Sequence, residues 1–349
     1  MKKIVTVLMG CTLLLVSLTG CQSKENQTTP AATTAKTETT TAATTEVTTE
    51  VETTTLEVTT TEKETATEST VKEVLQPDGS TLVIDEIPQK VLVLSSTTLE
   101  LLDAVGVKIT ATSSLSSKPA LAEKFKDAVD VGMATKPDME IIATVSPDLI
   151  IAGSMFMNMK DQFEAQGYKT WFVNNQTYED TLTLIENFGY VFDKEDEAAA
   201  LILDFETRKE AALETNKTES PKTIMIIFGA GDQVMLGSDQ CYSGSLAKLF
   251  GHKNVADDMD LTGATSGYIP FSLETALAAE PDVIFRVAHG NPEETKKMFD
   301  EMFEQNPAYQ TMKAVTEGKV YDLSYDLFFS NPGLKCIEAI EELGELLNK

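Results

Sequence analysis

The sequence of 349 residues predicts an α/β fold in which one long helix joins two similar Rossmann-like lobes. One observation is an order of elements that occurs twice: an apolar strand, a helix opened by hydroxyl residues, a short helix, and a Pro-Asp turn leading into a buried strand. Another is the segment 195–216 between the two copies. It lacks Gly and Pro and is rich in Ala, Leu and Glu, which is typical of a long helix.

The repeat is clearest in residues 139–151 and 273–285. Each passage contains an apolar residue and Glu, then Pro-Asp at the same distance, then three apolar residues of a buried strand. Chance similarity between two common βα units is the alternative. If the lobes are real, we expect a ligand in the cleft that faces the strand carboxyl ends of both. The long helix should then keep any closure of the lobes small.

The individual elements follow from apolar runs, hydroxyl caps and turn residues. In the first lobe the pattern predicts strands at 90–94, 149–151 and 171–173, helices at 99–105, 140–145 and 178–192, and loops at 132–139 and 153–160. In the second lobe it predicts strands at 222–228, 283–285 and 319–323 and helices at 243–250, 271–279, 292–303 and 333–347. The resulting domains are residues 1–20, 21–72, 73–193, 194–220 and 221–349, from leader to second lobe.

The amino terminus indicates a bacterial lipoprotein. A basic start and an apolar run at 4–18 precede Leu18-Thr19-Gly20-Cys21, which resembles the lipobox in which the Cys is lipidated. An ordinary signal peptide with an incidental Cys is the alternative. We therefore expect residues 1–20 to be removed and Cys21 to anchor the chain at the extracellular face of the cell membrane.

Residues 21–72 predict an unstructured tether. The segment is mainly Thr, Glu, Ala and Val and cannot bury enough apolar area to offset its ordering entropy. About 50 residues of coil span roughly 40 Å. The formal charge of −27 argues against nucleic acid as a partner. Beyond the tether, Cys241 and Cys336 are expected to be buried free thiols rather than a disulfide.

The motifs of several enzyme classes are missing. The sequence contains no G-x-S-x-G, no H-E-x-x-H and no P-loop, and its two histidines are too few for a three-His zinc cage. We therefore expect a binding protein rather than an enzyme. A cell-surface hydrolase is the alternative from another class.

Candidate iron ligands come from both lobes. His289 follows a strand of the second lobe, and Met133 precedes a helix of the first. An imidazole nitrogen and a thioether sulfur from opposite walls could ligate a porphyrin iron from both faces. Tyr268 is a rival or additional ligand. Alternatively, His289 is a polar loop residue, the methionines fill the core, and Tyr268 is a half-buried wall residue.

These passages resemble the haem-binding lipoproteins of the Gram-positive iron-regulated surface determinant systems, over about residues 90–347. More broadly they are similar to the solute-binding proteins for ferric siderophores, haem and cobalamin, which have a class III periplasmic-binding-protein fold. The matching segments are PDVIFRVAHGNPEETKKMFDEMF at 281–303, KVYDL at 319–323, TTLELLDAVGV at 97–107, KPDMEIIATVSPDLII at 136–151 and YSGSLAKLFGHKNV at 242–255.

The resemblance assigns roles to particular residues. It implies that His289 ligates haem iron and that a Met ahead of the P-D-M-E passage supplies the second ligand. In this sequence the Met lies slightly earlier in the chain than in those relatives, at Met133. An acidic residue on each lobe docks the permease in these relatives; Glu100 fits the first, whereas Lys248 stands where the second is expected.

The function implied is that of a monomeric, lipid-anchored carrier that delivers haem to an ABC importer. Haem is thus the transported ligand. Its carboxylates would lie at the helix start formed by Ser96, Thr97 and Thr98, where backbone N–H groups and hydroxyls can bind them. Plain N-capping is the alternative role of these residues. A corrinoid or ferric siderophore is the alternative ligand for the same fold.

Overall fold

The structure is a computed structural model that describes residues 71–218, 220–230, 233–289, 291–328 and 330–349, without the side chains of Pro292 and Glu304. The predicted signal peptide, Cys21 and nearly all of the predicted tether lie outside the described residues. Within these ranges, no helix has both the length and the hydropathy that crossing a membrane requires.

The first half of the described chain forms a five-stranded parallel sheet with helices on both faces, preceded by an antiparallel hairpin of β1 and β2. Its elements are β1 Lys72–Leu75, β2 Thr81–Ile84, β3 Val91–Val93, α1 Ser96–Ala104, β4 Ile109–Thr112, α2 Pro119–Lys124, β5 Val129–Asp130, β6 Gly132–Met133, β7 Lys136–Pro137, α3 Met139–Val145, β8 Leu149–Gly153, a 3₁₀ helix Ser154–Met159, α4 Lys160–Glu164, β9 Thr170–Val173 and α5 Tyr178–Phe192. The strand order is β5-β4-β3-β8-β9.

A long helix leads into the second half, which forms a six-stranded sheet. The elements are α6 Glu195–Thr215, β10 Thr223–Ala230, β11 Gln233–Gly237, α7 Tyr242–Leu249, β12 Lys253–Asn254, β13 Tyr268–Pro270, α8 Leu273–Ala279, β14 Val283–His289, α9 Pro292–Gln305, α10 Pro307–Gln310, α11 Lys313–Thr316, β15 Val320–Asp322, α12 Tyr325–Phe328, a 3₁₀ helix Gly333–Lys335 and α13 Cys336–Leu347. The order is β13-β11-β10-β14-β15, with β12 beside β10. β11 and β13 are antiparallel to their neighbours.

The two repeated passages fold in the same way. In each, the short helix ends at a residue in the left-handed conformation, Ser146 (φ 50°) and Glu280 (φ 43°). The aspartate of the following Pro-Asp turn then binds the first strand of its own lobe. Asp148 Oδ2 accepts a backbone N–H just ahead of β3 at 2.9 Å, and Asp282 Oδ2 accepts the first N–H of β10 at 2.8 Å. The predicted two-lobe α/β architecture is confirmed.

The largest hydrophobic cluster is shared by both lobes and α6. Each sheet has a second, smaller cluster on its opposite face. Buried side chains of the shared cluster include Leu99, Leu102, Phe188, Phe205, Tyr242, Leu246 and Ile340. Because this core is continuous, moving one lobe away from the other would expose apolar area to water.

One sequence-based expectation about local structure was wrong. His289 is the last residue of β14 rather than a loop residue, because the strand pairs with β10 as far as Ala230. The expectation for the thiols is confirmed, since Cys241 and Cys336 are both free and buried.

Candidate functional site

A cavity of about 670 Å³ lies between the carboxyl ends of the two sheets. This volume falls in the range of small-molecule sites. Both lobes contribute to its walls. Its lining consists of Ser95, Thr97, Thr98, Gly153, Ser154, Met155, Val173, Asn175 and Gln176 from the first lobe, and Phe228, Gln233, Met235, Tyr242, Thr265, Ser266, Tyr268, Ser330 and Asn331 from the second.

The first-lobe wall is built from residues that follow three neighbouring parallel strands. β3, β8 and β9 lie side by side in the sheet, so the segments after their carboxyl ends meet at one edge. These segments present hydroxyl and amide side chains, together with the thioether of Met155, which is 78% exposed. This wall is therefore mainly polar and contains one thioether sulfur.

The amino end of α1 forms part of this wall. Ser95 caps the helix, since its Oγ accepts the N–H of Thr98 at 3.3 Å, and it also bonds the hydroxyl of Thr97 at 3.1 Å. The first turn contains no acidic residue. The positive end of the helix dipole therefore meets the cavity without a carboxylate of its own, which favours an anionic group there.

The second-lobe wall contains the aromatic side chains of the cavity among its polar residues. The ring of Phe228 lies 4.6 Å from that of Tyr268 and stacks on the imidazole of His289 at 5.9 Å, with 19° between the planes. The carbonyl of His289 accepts a hydrogen bond from Thr295 Oγ1 at 3.1 Å, which fixes the turn into α9. Phe228 and Tyr268 line the cavity. His289 does not line the cavity itself but stacks on Phe228, which does.

Tyr268 is poorly suited to bind iron as a phenolate. Burial, followed by the charge and hydrogen bond of the Cys241 thiol, raises the pKa of Tyr268 well above its usual value. Deprotonating its hydroxyl is therefore costly. The protonated ring can still contribute apolar contact and a hydroxyl to a ligand.

The structure brings together only part of the predicted site. Thr97, Thr98 and Tyr268 line the cavity, whereas Ser96 does not and Ser95 takes its place. Met133 lies in the small hairpin of β6 and β7, is 64% exposed and does not line the cavity. Among the methionines, Met155 and Met235 line it, and only Met155 belongs to the wall opposite His289.

The residues considered for permease docking lie on helices. Glu100 is half-buried on α1. Lys248 lies in the last turn of α7, and its exposed side chain pairs with Asp239 at 3.6 Å. The second lobe thus has an acid next to Lys248, although it is more buried than the lysine.

Several lining residues were missed by the sequence reasoning. Asn175 and Gln176 directly follow the predicted strand at 171–173, so the rule that ligands meet strand carboxyl ends could have found them. Asn331 gave only a weak signal, the Asn-Pro-Gly at 331–333. Such a run indicates a turn but does not say where the turn packs.

The described lining residues are all uncharged. The described part of the chain also has no cluster of three or more His, Cys, Asp and Glu side chains that could hold a metal ion. An uncharged cavity with one aromatic wall and a helix amino end suits a largely apolar ligand with an anionic edge.

Comparison with known proteins gives a consistent family. The periplasmic binding protein family matches residues 91–327. The high-affinity heme uptake system protein IsdE of Staphylococcus aureus is 28% identical over 236 residues, which is 67% of this chain and 79% of IsdE.

Solved structures share the fold. An ABC transporter substrate-binding protein from Listeria monocytogenes superposes with a TM-score of 0.66 at 28% identity, covering 74% of this chain and 97% of that one. The petrobactin-binding protein YclQ of Bacillus subtilis gives a TM-score of 0.65 at 22% identity, with 80% and 99% covered. The likeness to YclQ, at 22% identity, shows the fold alone.

Proposed function

This chain belongs to the periplasmic binding protein family, and we propose that the ligand it delivers to its ABC importer is haem. Members of this family are substrate-binding proteins of ABC transporters, so the chain is a carrier and not an enzyme. It works on the outer side of a membrane with a permease as partner. The likeness to a heme uptake protein at 28% identity supports haem as its ligand.

The observation that carries the proposal is the contrast between the two cavity walls. Haem is a flat apolar ring with two carboxylates on one edge. The ring would lie against Phe228 and Tyr268, where it gains apolar and stacking contact. The carboxylates would lie at the amino end of α1, near Thr97 and Thr98. Ser96 would contribute through its backbone N–H.

The iron would be bound by His289 from the second lobe. A change of rotamer at Phe228, which stacks on His289, would uncover the imidazole. Met133 was the sulfur expected from the sequence, and it would have to turn inwards with its hairpin. Met155 already lines the cavity on the opposite wall and is the better placed thioether. A sulfur ligand would favour ferrous iron more than a second imidazole would.

Titration of the purified protein with haemin, followed by absorption spectroscopy, tests the proposal. We expect one equivalent to bind, with a low-spin spectrum. His289→Ala should abolish that spectrum or release haemin. Replacing the sulfur ligand should leave a five-coordinate species, so parallel Met133→Ala and Met155→Ala variants identify it. A wild-type protein without haemin binding, or a His289→Ala variant with an unchanged spectrum, would refute the haem assignment.

A corrinoid is the second candidate. An uncharged cavity lining suits a neutral corrinoid as well. A siderophore is a third ligand class to consider, because a petrobactin-binding protein shares the fold. A ferric siderophore with several negative charges is less suited, because the described lining has no Lys or Arg. Competition of cyanocobalamin and of a ferric hydroxamate with haemin separates the three ligand classes.

Attachment to the membrane is also proposed. Cleavage after Gly20 would leave Cys21 as a lipidated amino terminus, with residues 21–72 as the tether of a monomeric carrier. Cys21→Ala should release the protein into the medium, whereas Cys11→Ala, within the leader, should not. Glu100 is proposed to dock the permease: Glu100→Arg should impair haem uptake by cells and leave haemin binding by the purified protein unchanged.

A further inference from the structure

The segment 330–333 of the second lobe reaches across to the first lobe. It follows α12 and ends at Gly333, the first residue of the 3₁₀ helix that precedes α13. Asn331, which is 3% exposed, is its central side chain. Its Nδ2 donates to the carbonyl of Thr177 and to the hydroxyl of Thr181, both at 2.7 Å, and its Oδ1 accepts the N–H of Gly333 at 2.9 Å. All the polar atoms of this amide are therefore engaged.

The bonds of Asn331 continue into the cavity wall. Thr177 caps α5, and Thr181 lies in its first turns. The Thr181 hydroxyl accepts from Asn331 and can donate to Asn175 Oδ1, which lies 3.1 Å away. Asn175 lines the cavity from the first lobe, and Asn331 lines it from the second. A short run of hydrogen bonds thus joins the two walls.

The same segment touches the other helix that faces the cavity. Gly333 has a φ of +63°, and a Cβ at this position would lie 3.3 Å from the carbonyl of Thr97. Glycine therefore lets the segment approach the amino end of α1 closely. Residues 330–333 contact the first turns of both α1 and α5, the two first-lobe helices whose amino ends adjoin the cavity.

We infer that residues 330–333 form an interlobe brace, with Asn331 as the positioning residue that holds the two cavity walls in register. α6 joins the lobes on one side, and the brace joins them at the cavity itself. A ligand that contacts Asn175 and Asn331 would be coupled to lobe position through Thr181. This inference rests on the proposed function only for the identity of the ligand.

Hydrogen exchange and haemin dissociation test the brace. Without ligand, Asn331→Ala should speed exchange of the amides at 177–184 by roughly thirtyfold, since the two lost bonds to Thr177 and Thr181 are each worth about 1 kcal/mol. Haemin should dissociate faster by a similar factor. Ser330→Ala is the matched control for exchange, because Ser330 is next to Asn331 but makes no hydrogen bond to the described part of the first lobe; it should change the exchange rate less than twofold.

Two further variants separate positioning from general destabilisation. Asn331→Asp keeps the shape but loses the donor at neutral pH, so the ratio of its exchange rate to that of the wild type at the same pH should fall as the pH falls and the carboxyl is protonated. Thr181→Val removes the acceptor from the other side, and combining it with Asn331→Ala should add little. Wild-type exchange rates in Asn331→Ala, or full additivity of the pair, would refute the brace. Absence of haemin binding by the wild type would refute only the proposed ligand, because exchange needs no ligand.

Discussion

Replacing Asp322 with alanine should destabilise the protein by about 3 kcal/mol, because it leaves the buried guanidinium of Arg286 with one of its three hydrogen bonds to carboxylates. Arg286 is only 8% exposed. Its Nε and Nη2 donate to the two carboxylate oxygens of Asp322 at 2.5 and 2.7 Å, and its Nη1 donates to Asp300 at 2.9 Å. Breaking a buried pair typically costs about 3–5 kcal/mol. The lower end applies because Asp300 remains and the Asp322 side chain is one-third exposed.

Urea unfolding at pH 7 measures this loss, and Asp300→Ala is the matched control. Asp300 is more exposed and makes a single bond, so its removal should cost about 1 kcal/mol or less. Equal losses for the two variants, or a loss below about 1 kcal/mol for Asp322→Ala, would refute the assignment of Asp322 as the main counter-ion. Arg286 lies on β14, the strand that ends at His289, so the same variant should also weaken haemin binding.

The pH dependence of the Asp322 variant has a definite sign. Burial by itself raises the pKa of Asp322, but hydrogen bonds and charges from Arg286 and Lys296 outweigh it and lower the pKa below its usual value. The stabilisation is therefore complete above the unfolded pKa of about 3.9 and is lost as the pH falls through the lower folded value. The difference between wild type and Asp322→Ala should shrink only below about pH 4.

Two further predictions concern stability. Gly267→Ala should cost at least about 2 kcal/mol more than Gly263→Ala in thermal unfolding. Both residues have positive φ, but only at Gly267 would a Cβ lie 2.2 Å from a backbone nitrogen, that of Cys241. Equal costs would contradict the steric argument. Burial, then the Lys222 charge, lowers the pKa of His252, so stability should fall as the pH drops below about 6.5, and by at most about 1.4 kcal/mol per pH unit. His252→Gln, which can still accept the Lys222 N–H that Nδ1 accepts at 3.1 Å, should flatten this slope, and an unchanged slope would exclude His252 as its source.

The sequence predicted those elements whose signals are local and long. α5 was predicted with its observed bounds, because it has an apolar stripe over four turns and a capping box at Thr177. α6 was predicted within one residue for similar reasons. The hairpin of β1 and β2 was missed, because two four-residue strands with mostly exposed side chains leave almost no periodic signal.

The site was predictable only where position along a strand decides it. Thr97 and Thr98 follow β3, so the edge of the sheet could be foreseen. Which methionine faces the cavity could not be predicted, since Met133 and Met155 both follow strands of the same sheet. Their orientation depends on the hairpin of β6 and β7 and on the 3₁₀ turn at Ser154–Met159, and neither is encoded by hydrophobic periodicity.

The two lobes share a repeat, yet the walls they present are different. The repeat covers the Pro-Asp turn and the strand after it, and in the first lobe only the last residue of that strand, Gly153, lines the cavity. The cavity is lined instead by segments that differ between the lobes: the capped start of α1 in one, and the ends of β10, β11 and β13 in the other. Similar scaffolds therefore place a helix amino end opposite an aromatic wall, and this asymmetry gives a ligand with one anionic edge a single favoured orientation.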